Sequence, residues 1–312
     1  MAEIFSTPTT DFIPCARYHV SHETQYTYQT PVILSQQYLH LSPLDFRYQQ
    51  VESQHIIITP AEAENSAGQD YFGNSTRHIA ITEPHLELVV QSEFTVALGQ
   101  RHDMKKIKHS SPWELLRDTI LQSKLRATQQ ACGFLQASPH ISCSMQLRDY
   151  ASISYTPGRP QLEAALDLTQ RIFDDFEFDD KATDISTPLE EVFTGRRGVC
   201  QDFAHLMIGC IRSLGLPARY VSGYILTHPP AGQPRMIGAD ASHAWVSVYC
   251  PILGWVDFDP TNRCLVQHEH ITLGFGRDFS DVTPLRGIVL GGGKQELQVK
   301  VTVTPLPLTT SA

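Results

Sequence analysis

The chain has 312 residues, 41 % of them apolar and 18 % charged, with a formal net charge of −9 at pH 7. A chain of this size and polarity buries a sizeable core and divides most naturally into two domains. The acidic balance excludes the basic face that a nucleic-acid partner requires, and no run approaches the roughly 18 apolar residues of a membrane span. Met1 to Thr10 has neither a basic start nor an apolar run, so no secretory signal is expected and the expected location is cytoplasmic. The seven cysteines (15, 132, 143, 200, 210, 250 and 264) are odd in number and none lies in Cys-x-x-Cys spacing. That pattern suits separate, reduced thiols.

Residues 15–98 read as β structure. Tyr18, Val20, His22, Thr24, Tyr26 and Tyr28 share one parity, the period-two signal of a strand. Further strands are expected at 32–41, 51–59, 77–82 and 85–97, with turn-rich pieces such as Pro60 to Gln69 between them. Short strands at this spacing predict an antiparallel, sandwich-like domain over residues 1–100. Its scattered histidines gather no catalytic set. Gln100 to Ser111 is polar and basic, with Lys105-Lys106-Ile107-Lys108-His109 inside it, and reads as a solvated linker.

A helical zone follows and opens the second domain, 101–312. Ser111-Pro112-Trp113-Glu114 supplies an N-cap, a proline at the first helical position and an acidic first turn. Leu162, Ala165, Leu166, Thr169, Ile172 and Phe173 form the apolar stripe of a second helix, and Thr187-Pro188-Leu189 begins a third. After Cys200 the apolar positions 203, 204, 207, 208, 211 and 214 keep the helical period until Gly215-Leu216-Pro217 stops it. Strands are then expected over Ala218 to Leu226, His243 to Cys250 and Trp255 to Asp259. A closing hairpin is expected around Gly291-Gly292-Gly293, where Leu297, Val299, Val301 and Val303 alternate with polar residues.

The chemistry concentrates at Gly195-Arg196-Arg197-Gly198-Val199-Cys200, where a cysteine follows a glycine-rich turn and opens a helix. The positive end of the helix dipole favours a thiolate there. A cysteine becomes a nucleophile when a histidine takes its proton and a third group orients that histidine. Period-two alternation puts His243, Trp245, Ser247 and Tyr249 on one strand face, and Trp255, Asp257 and Asp259 on one face of the next. An odd-length connection centred near Pro251 sets Ser247 opposite Trp255, Trp245 opposite Asp257 and His243 opposite Asp259. Directly opposite side chains lie about 5 Å apart at Cβ, within reach of a carboxylate–imidazole bond. Cys200, His243 and Asp259 are therefore the candidate catalytic residues, with Asp257 the second choice for the acid. No cofactor and no metal are called for. Asp174-Asp175 and Asp179-Asp180 read as solvated helix ends, and His268-Glu269-His270 as a surface strand.

Taken in order, Gly198-Val199-Cys200-Gln201-Asp202-Phe203-Ala204-His205-Leu206, Leu214 to Tyr224, His243-Ala244-Trp245 and Gly254 to Asn262 resemble the transglutaminase-like superfamily across residues 155–265. Gly276-Arg277-Asp278-Phe279-Ser280-Asp281-Val282 is similar to the tail of its bacterial members. Tyr18 to Thr24 and Asp70-Tyr71-Phe72-Gly73-Asn74 resemble the N-terminal domain that accompanies the core in those proteins. The resemblance implies an α+β protein whose papain-like core packs a catalytic helix on an antiparallel sheet. It also implies Cys200 as nucleophile, His243 as base and then acid, and Asp259 as the orienting carboxylate. The expected reaction is amide hydrolysis or acyl transfer on a peptide or protein through a Cys200 thioester, with hydrolysis ahead of amine transfer and a non-catalytic peptide-binding module as the further alternative. The backbone N–H of Cys200 is the expected oxyanion donor. No tryptophan stands between Trp113 and Trp245 to assist it, and Thr194 occupies the place six residues upstream.

Overall fold

The period-two pattern of the opening segment forms one long strand, β1 (Pro14–Leu39), with Tyr18, Val20, His22, Thr24 and Tyr28 turned inward. The computed structural model describes residues 12–227 and 242–308, so Met1 to Thr10 lies outside the described residues. Four strands follow: β2 (Gln49–Thr59), β3 (Glu64–Gln69), β4 (Ser75–Ile81) and β5 (His85–Gly99). The piece expected to be turn-rich over 60–69 thus contributes a strand. β3 is exposed along its whole length, so no buried side chain marks it in the sequence.

β1 is the spine of this sheet. Its first half pairs with β5, and its second half with β4. β2 continues the sheet beyond β5 and β3 beyond β4. The other edge is taken by the end of the chain, β13 (Leu285–Gly291) along Val32–Leu39 and β14 (Gln295–Pro305) along Tyr18–Tyr28. Both run antiparallel to β1 and follow one another along it, so the expected closing hairpin does not form. Gly291, Gly292 and Gly293 all have positive φ, which accommodates a bulge beside Gln29–Pro31 in place of a reversal. Val301 and Val303 are buried, whereas Leu297 and Val299, on the same parity, are exposed.

The helices lie between the two sheets in sequence. They are α1 (Met104–Lys108), α2 (Trp113–Thr119), α3 (Arg126–Ala131), α4 (Met145–Ser152) and α5 (Gln161–Asp175). α2 starts one residue later than expected: Pro112 takes the cap position and no side chain caps it. α5 buries Leu162, Ala165, Leu168, Thr169 and Ile172. A short parallel ladder of β6 (Glu177–Phe178) and β7 (Arg197–Gly198) surrounds α6 (Leu189–Gly195) and leads directly into α7 (Cys200–Ser213).

The second sheet has the order β11-β10-β9-β8-β12, from β8 (Ala218–Ile225), β9 (Ser242–Cys250), β10 (Gly254–Asp259), β11 (Cys264–Leu265) and β12 (His270–Gly276). α7 packs on one face of it, against Ala244, Val246, Val248, Val256 and Phe258. Asp202 to Arg212 are buried without interruption, so α7 is enclosed on all sides and is less amphipathic than its apolar stripe suggests. Gly215, at φ 78°, stops it. The opposite face of the sheet is covered by the N-terminal region, where Leu44 and Phe46 join Val221, Trp245, Val266 and Phe275 in a second core. A third joins Tyr18, Val20, Phe94 and Val96 to Tyr224, Ile271 and Leu273. The whole is an α+β protein in which both ends of the chain wrap the sheet that carries His243.

Close packing at the centre of that sheet explains Gly223, which pairs with His243 on one side and Thr272 on the other. A Cβ there would collide with the Ile271 carbonyl oxygen and lie 2.6 Å from the Trp245 ring. Gly223→Ala is expected to cost about 1–3 kcal/mol through overpacking. A urea unfolding midpoint indistinguishable from that of the parent chain would show that β12 simply moves aside.

Candidate active site

Cys200 is the first residue of α7. The residue before it, Val199, has no side-chain acceptor, so the helix start is held differently from an ordinary cap: the Asp202 carboxylate accepts the Val199 N–H at 2.9 Å. Asp202 also accepts the Thr183 hydroxyl at 2.6 Å. Burial nevertheless raises the Asp202 pKa, the two hydrogen bonds opposing it. Cys200 itself is half-buried, in contrast to the fully buried Cys210 and Cys250.

His243 stands at the start of β9 and is buried. Its Nε2 lies 2.7 Å from Asp259 Oδ2 and 3.3 Å from the Asn262 amide nitrogen, and the Cys200 side chain is close enough to act on the ring's charge. With Nε2 committed to the carboxylate, Nδ1 is the nitrogen left for the thiol. Burial works against the charged imidazole, but the Asp259 carboxylate and the Cys200 sulfur outweigh it and raise the His243 pKa to about 10. For Asp259 the balance is the mirror image. Burial opposes ionisation, and His243 and His270 hold the carboxyl well below the usual carboxylate range.

The three candidate residues therefore meet, although the expected register does not. Asp257 pairs with Ser247 and Val256 with Val248, a hairpin centred on Ile252 rather than Pro251. In that register Asp259 falls level with Trp245, one diagonal step from His243. A slip of two residues leaves every side chain on its original face, which is why the parity argument survives the wrong pairing. Asp257, the second choice for the acid, faces elsewhere: Arg101 forms a salt bridge with its carboxylate, and the Trp245 indole N–H lies 3.4 Å from it.

Further residues complete the site. Asp259 Oδ1 accepts the backbone N–H groups of Thr261 at 2.9 Å and Asn262 at 3.1 Å. The Asn262 amide donates to Oδ2 at 2.7 Å, and His270 Nε2 approaches the same oxygen at 2.9 Å. His270 is buried, so the surface strand expected for His268-Glu269-His270 is corrected. A charged acceptor within the fold supplies the reason, because burying an imidazole without a partner would cost too much. His243, Asp259 and His270 bring three ligand-type atoms within 4.8 Å, the spacing of direct hydrogen bonds around one carboxylate oxygen. The sequence names no side-chain partner for the oxyanion, and Thr194 does not supply one: it is exposed and bonds Glu190 O in its own helix.

Comparison with known proteins accords with this geometry. A model of the bacterial transglutaminase-like N-terminal region matches residues 18–97, and a model of the transglutaminase-like superfamily matches residues 150–260. The uncharacterized protein Rv2569c of Mycobacterium tuberculosis is 39 % identical over 296 residues, covering 93 % of each chain. A protein-glutamine gamma-glutamyltransferase of Pseudomonas aeruginosa is 38 % identical over 84 residues, 27 % of this chain and 12 % of that protein. The crystal structure of a candidate cysteine protease from Cytophaga hutchinsonii superposes with a TM-score of 0.74 at 21 % identity, covering 95 % of this chain and 92 % of that one. Among the described residues no helix is long and apolar enough to cross a membrane. With the fold, the ordered motifs and a full-length relative in agreement, the chain belongs to the transglutaminase-like superfamily and carries that superfamily's bacterial N-terminal region.

Proposed function

We propose that this protein is a thiol-dependent enzyme that cleaves a carboxamide in a peptide-like substrate through a thioester on Cys200. The observation that carries this reading is the series Cys200–His243–Asp259, in which His243 bonds Asp259 and the carboxylate and the Cys200 sulfur together favour the imidazolium. The thiolate attacks the amide carbon. As the C–N bond breaks, the imidazolium at His243 gives its proton to the departing nitrogen. His243 then takes a proton from the second nucleophile, which attacks the thioester carbon, and Cys200 is released when the C–S bond breaks. Asp259 keeps the proton-bearing Nε2 turned to itself and Nδ1 turned to sulfur. The backbone N–H of Cys200 is the proposed donor to the oxyanion.

Water as the second nucleophile makes the protein a cysteine peptidase or amidase, and the half-buried Cys200, not closed off from solvent, supports that outcome. An amine acceptor is the second reading, favoured by the 84-residue likeness to the gamma-glutamyltransferase. A glutamine peptide incubated with and without a primary amine separates the two by product mass.

The test of the thiol itself needs no substrate. A fluorescent alkylating probe at mildly acidic pH is expected to label Cys200 selectively, with labelling lost in His243→Ala. Cys264, whose thiol burial pushes up to about 12, and Cys132 serve as internal references. Labelling of Cys200 no faster than of those two would instead mark a peptide-binding module that keeps the fold without the chemistry.

A further inference from the structure

Asp259 serves two imidazoles. His243 and His270 both turn Nε2 to its Oδ2, at 2.7 and 2.9 Å. The other His270 nitrogen, Nδ1, is buried and meets no partner among the described residues. Burial holds the His270 pKa below the ordinary histidine range in spite of the nearby carboxylate, so the ring is neutral. A neutral imidazole has one N–H, and the carboxylate can only accept, so that hydrogen lies on Nε2. The Trp245 ring meets His270 edge-on at 5.2 Å and fixes its plane.

The strand that delivers His270 is held from outside its own sheet. β12 is an end strand of the second sheet, and side chains of the N-terminal region bond its backbone where a neighbouring strand would. The Gln49 amide bonds both N–H and C=O of Thr272, at 2.8 Å each. The Asn74 amide does the same at Phe275, at 2.7 and 2.8 Å. Arg101 reaches the His270 carbonyl at 3.3 Å.

We propose that His270 is a positioning residue of the Cys200–His243–Asp259 site, a neutral donor that fixes the shared carboxylate and divides its hydrogen-bonding capacity between two imidazoles, set in place by the N-terminal region. This inference rests on the acyl-transfer reading for its meaning in turnover, but not for its test. The titratable and charged groups that act on His243, Asp259 and His270 from the surrounding elements are Cys200 from α7, Cys264 from β11 and Arg101.

The test is the titration of the His243 ring followed by NMR, which requires no substrate. In His270→Phe the Oδ2 atom loses a donor and becomes more basic toward His243, so the His243 titration is expected to rise by about half a unit to one unit. His270→Gln, which keeps an N–H donor of similar reach, is expected to restore the parent value. A purely structural role would lower stability and leave the His243 titration where it was, and that result overturns the proposal. His270→Asn, too short to reach the carboxylate, replaces the phenylalanine variant if that one does not fold. In the parent protein the His270 ring should show a protonated Nε2 and a bare Nδ1 above neutral pH; a cationic ring there would equally overturn it. Where turnover is measurable, His270→Phe should lower kcat about tenfold with KM little changed, the sign of lost transition-state orientation rather than lost binding. Failure of Cys200 to label selectively would defeat the enzymatic reading, while the NMR titration decides this one separately.

Discussion

Asp259→Asn is expected to lower kcat/KM by about 10³ to 10⁴ while leaving a folded protein, because the wrong histidine tautomer would face the thiol. The carboxylate takes hydrogen bonds on both oxygens. Oδ1 accepts two backbone N–H groups, and Oδ2 accepts from His243, His270 and Asn262. An asparagine amide must set its NH₂ against one of these groups of donors, whichever way it is turned. The easiest relief is for His243 to move its hydrogen to Nδ1, toward Cys200, where it can no longer accept the thiol proton. The pH profile supplies a second readout. His243 is held protonated up to about pH 10, so activity that needs the imidazolium is present below that pH and is lost as pH rises through it. Without the carboxylate that alkaline limb should fall toward the ordinary histidine range, near ~6.5. The same sign applies to stability: a histidine whose pKa is raised by folding stabilises the native state fully below ~6.5, and that contribution disappears as pH climbs to about 10. Profiles of kcat/KM against pH, for the parent and Asp259→Asn, check the prediction; an unmoved alkaline limb would assign it to another group.

The parts of the site that could be read from the sequence are those governed by local periodicity. A helix beginning at Cys200 and two strands with His243 and Asp259 on matching parities follow from side-chain alternation over a few residues. Parity is blind to a two-residue slip, so the same reasoning misplaced the cross-strand partners by one diagonal step. What escaped entirely was long-range. His270 carries no local mark of burial, since its neighbours His268 and Glu269 look like any exposed strand, and only the folded sheet brings it to Asp259. The closing strands show the same limit. Three consecutive glycines are compatible with a reversal or a bulge, and the choice is made by β1, against which both strands lie. In the N-terminal region the alternation from Tyr18 to Tyr28 was legible, whereas Gln49 and Asn74 look like ordinary polar residues until their amides are seen on the backbone of β12.

Arg101 carries the largest stability effect to be expected from a residue in a segment that reads as a solvated linker. Its guanidinium forms a salt bridge with Asp257, and the two side chains are only 5 % and 7 % exposed. It also bonds the His270 carbonyl and the Thr272 hydroxyl, at 3.3 Å each, and lies over the Phe46 and Tyr48 rings. Removing one partner of a buried pair strands most of the other charge, and Asp257 would keep a 3.4 Å approach from the Trp245 indole and the attraction of Arg219 and His102. Arg101→Leu is therefore expected to destabilise the protein by about 3–5 kcal/mol, measured by urea unfolding. The cost should come chiefly from the stranded carboxylate, so adding Asp257→Asn to Arg101→Leu should recover a large part of it, and the double-mutant cycle gives the coupling directly. A loss below about 1 kcal/mol would put the pair in the class of solvent-screened surface bridges and contradict its burial. Because Arg101 also holds β12 at His270, the single variant should loosen the shared carboxylate as well, and repair of the buried charge at Asp257 should recover stability without restoring that tether. Stability and the His243 titration are then expected to part company in the double variant, which locates the role of the N-terminal segment in positioning β12 as well as in covering the sheet.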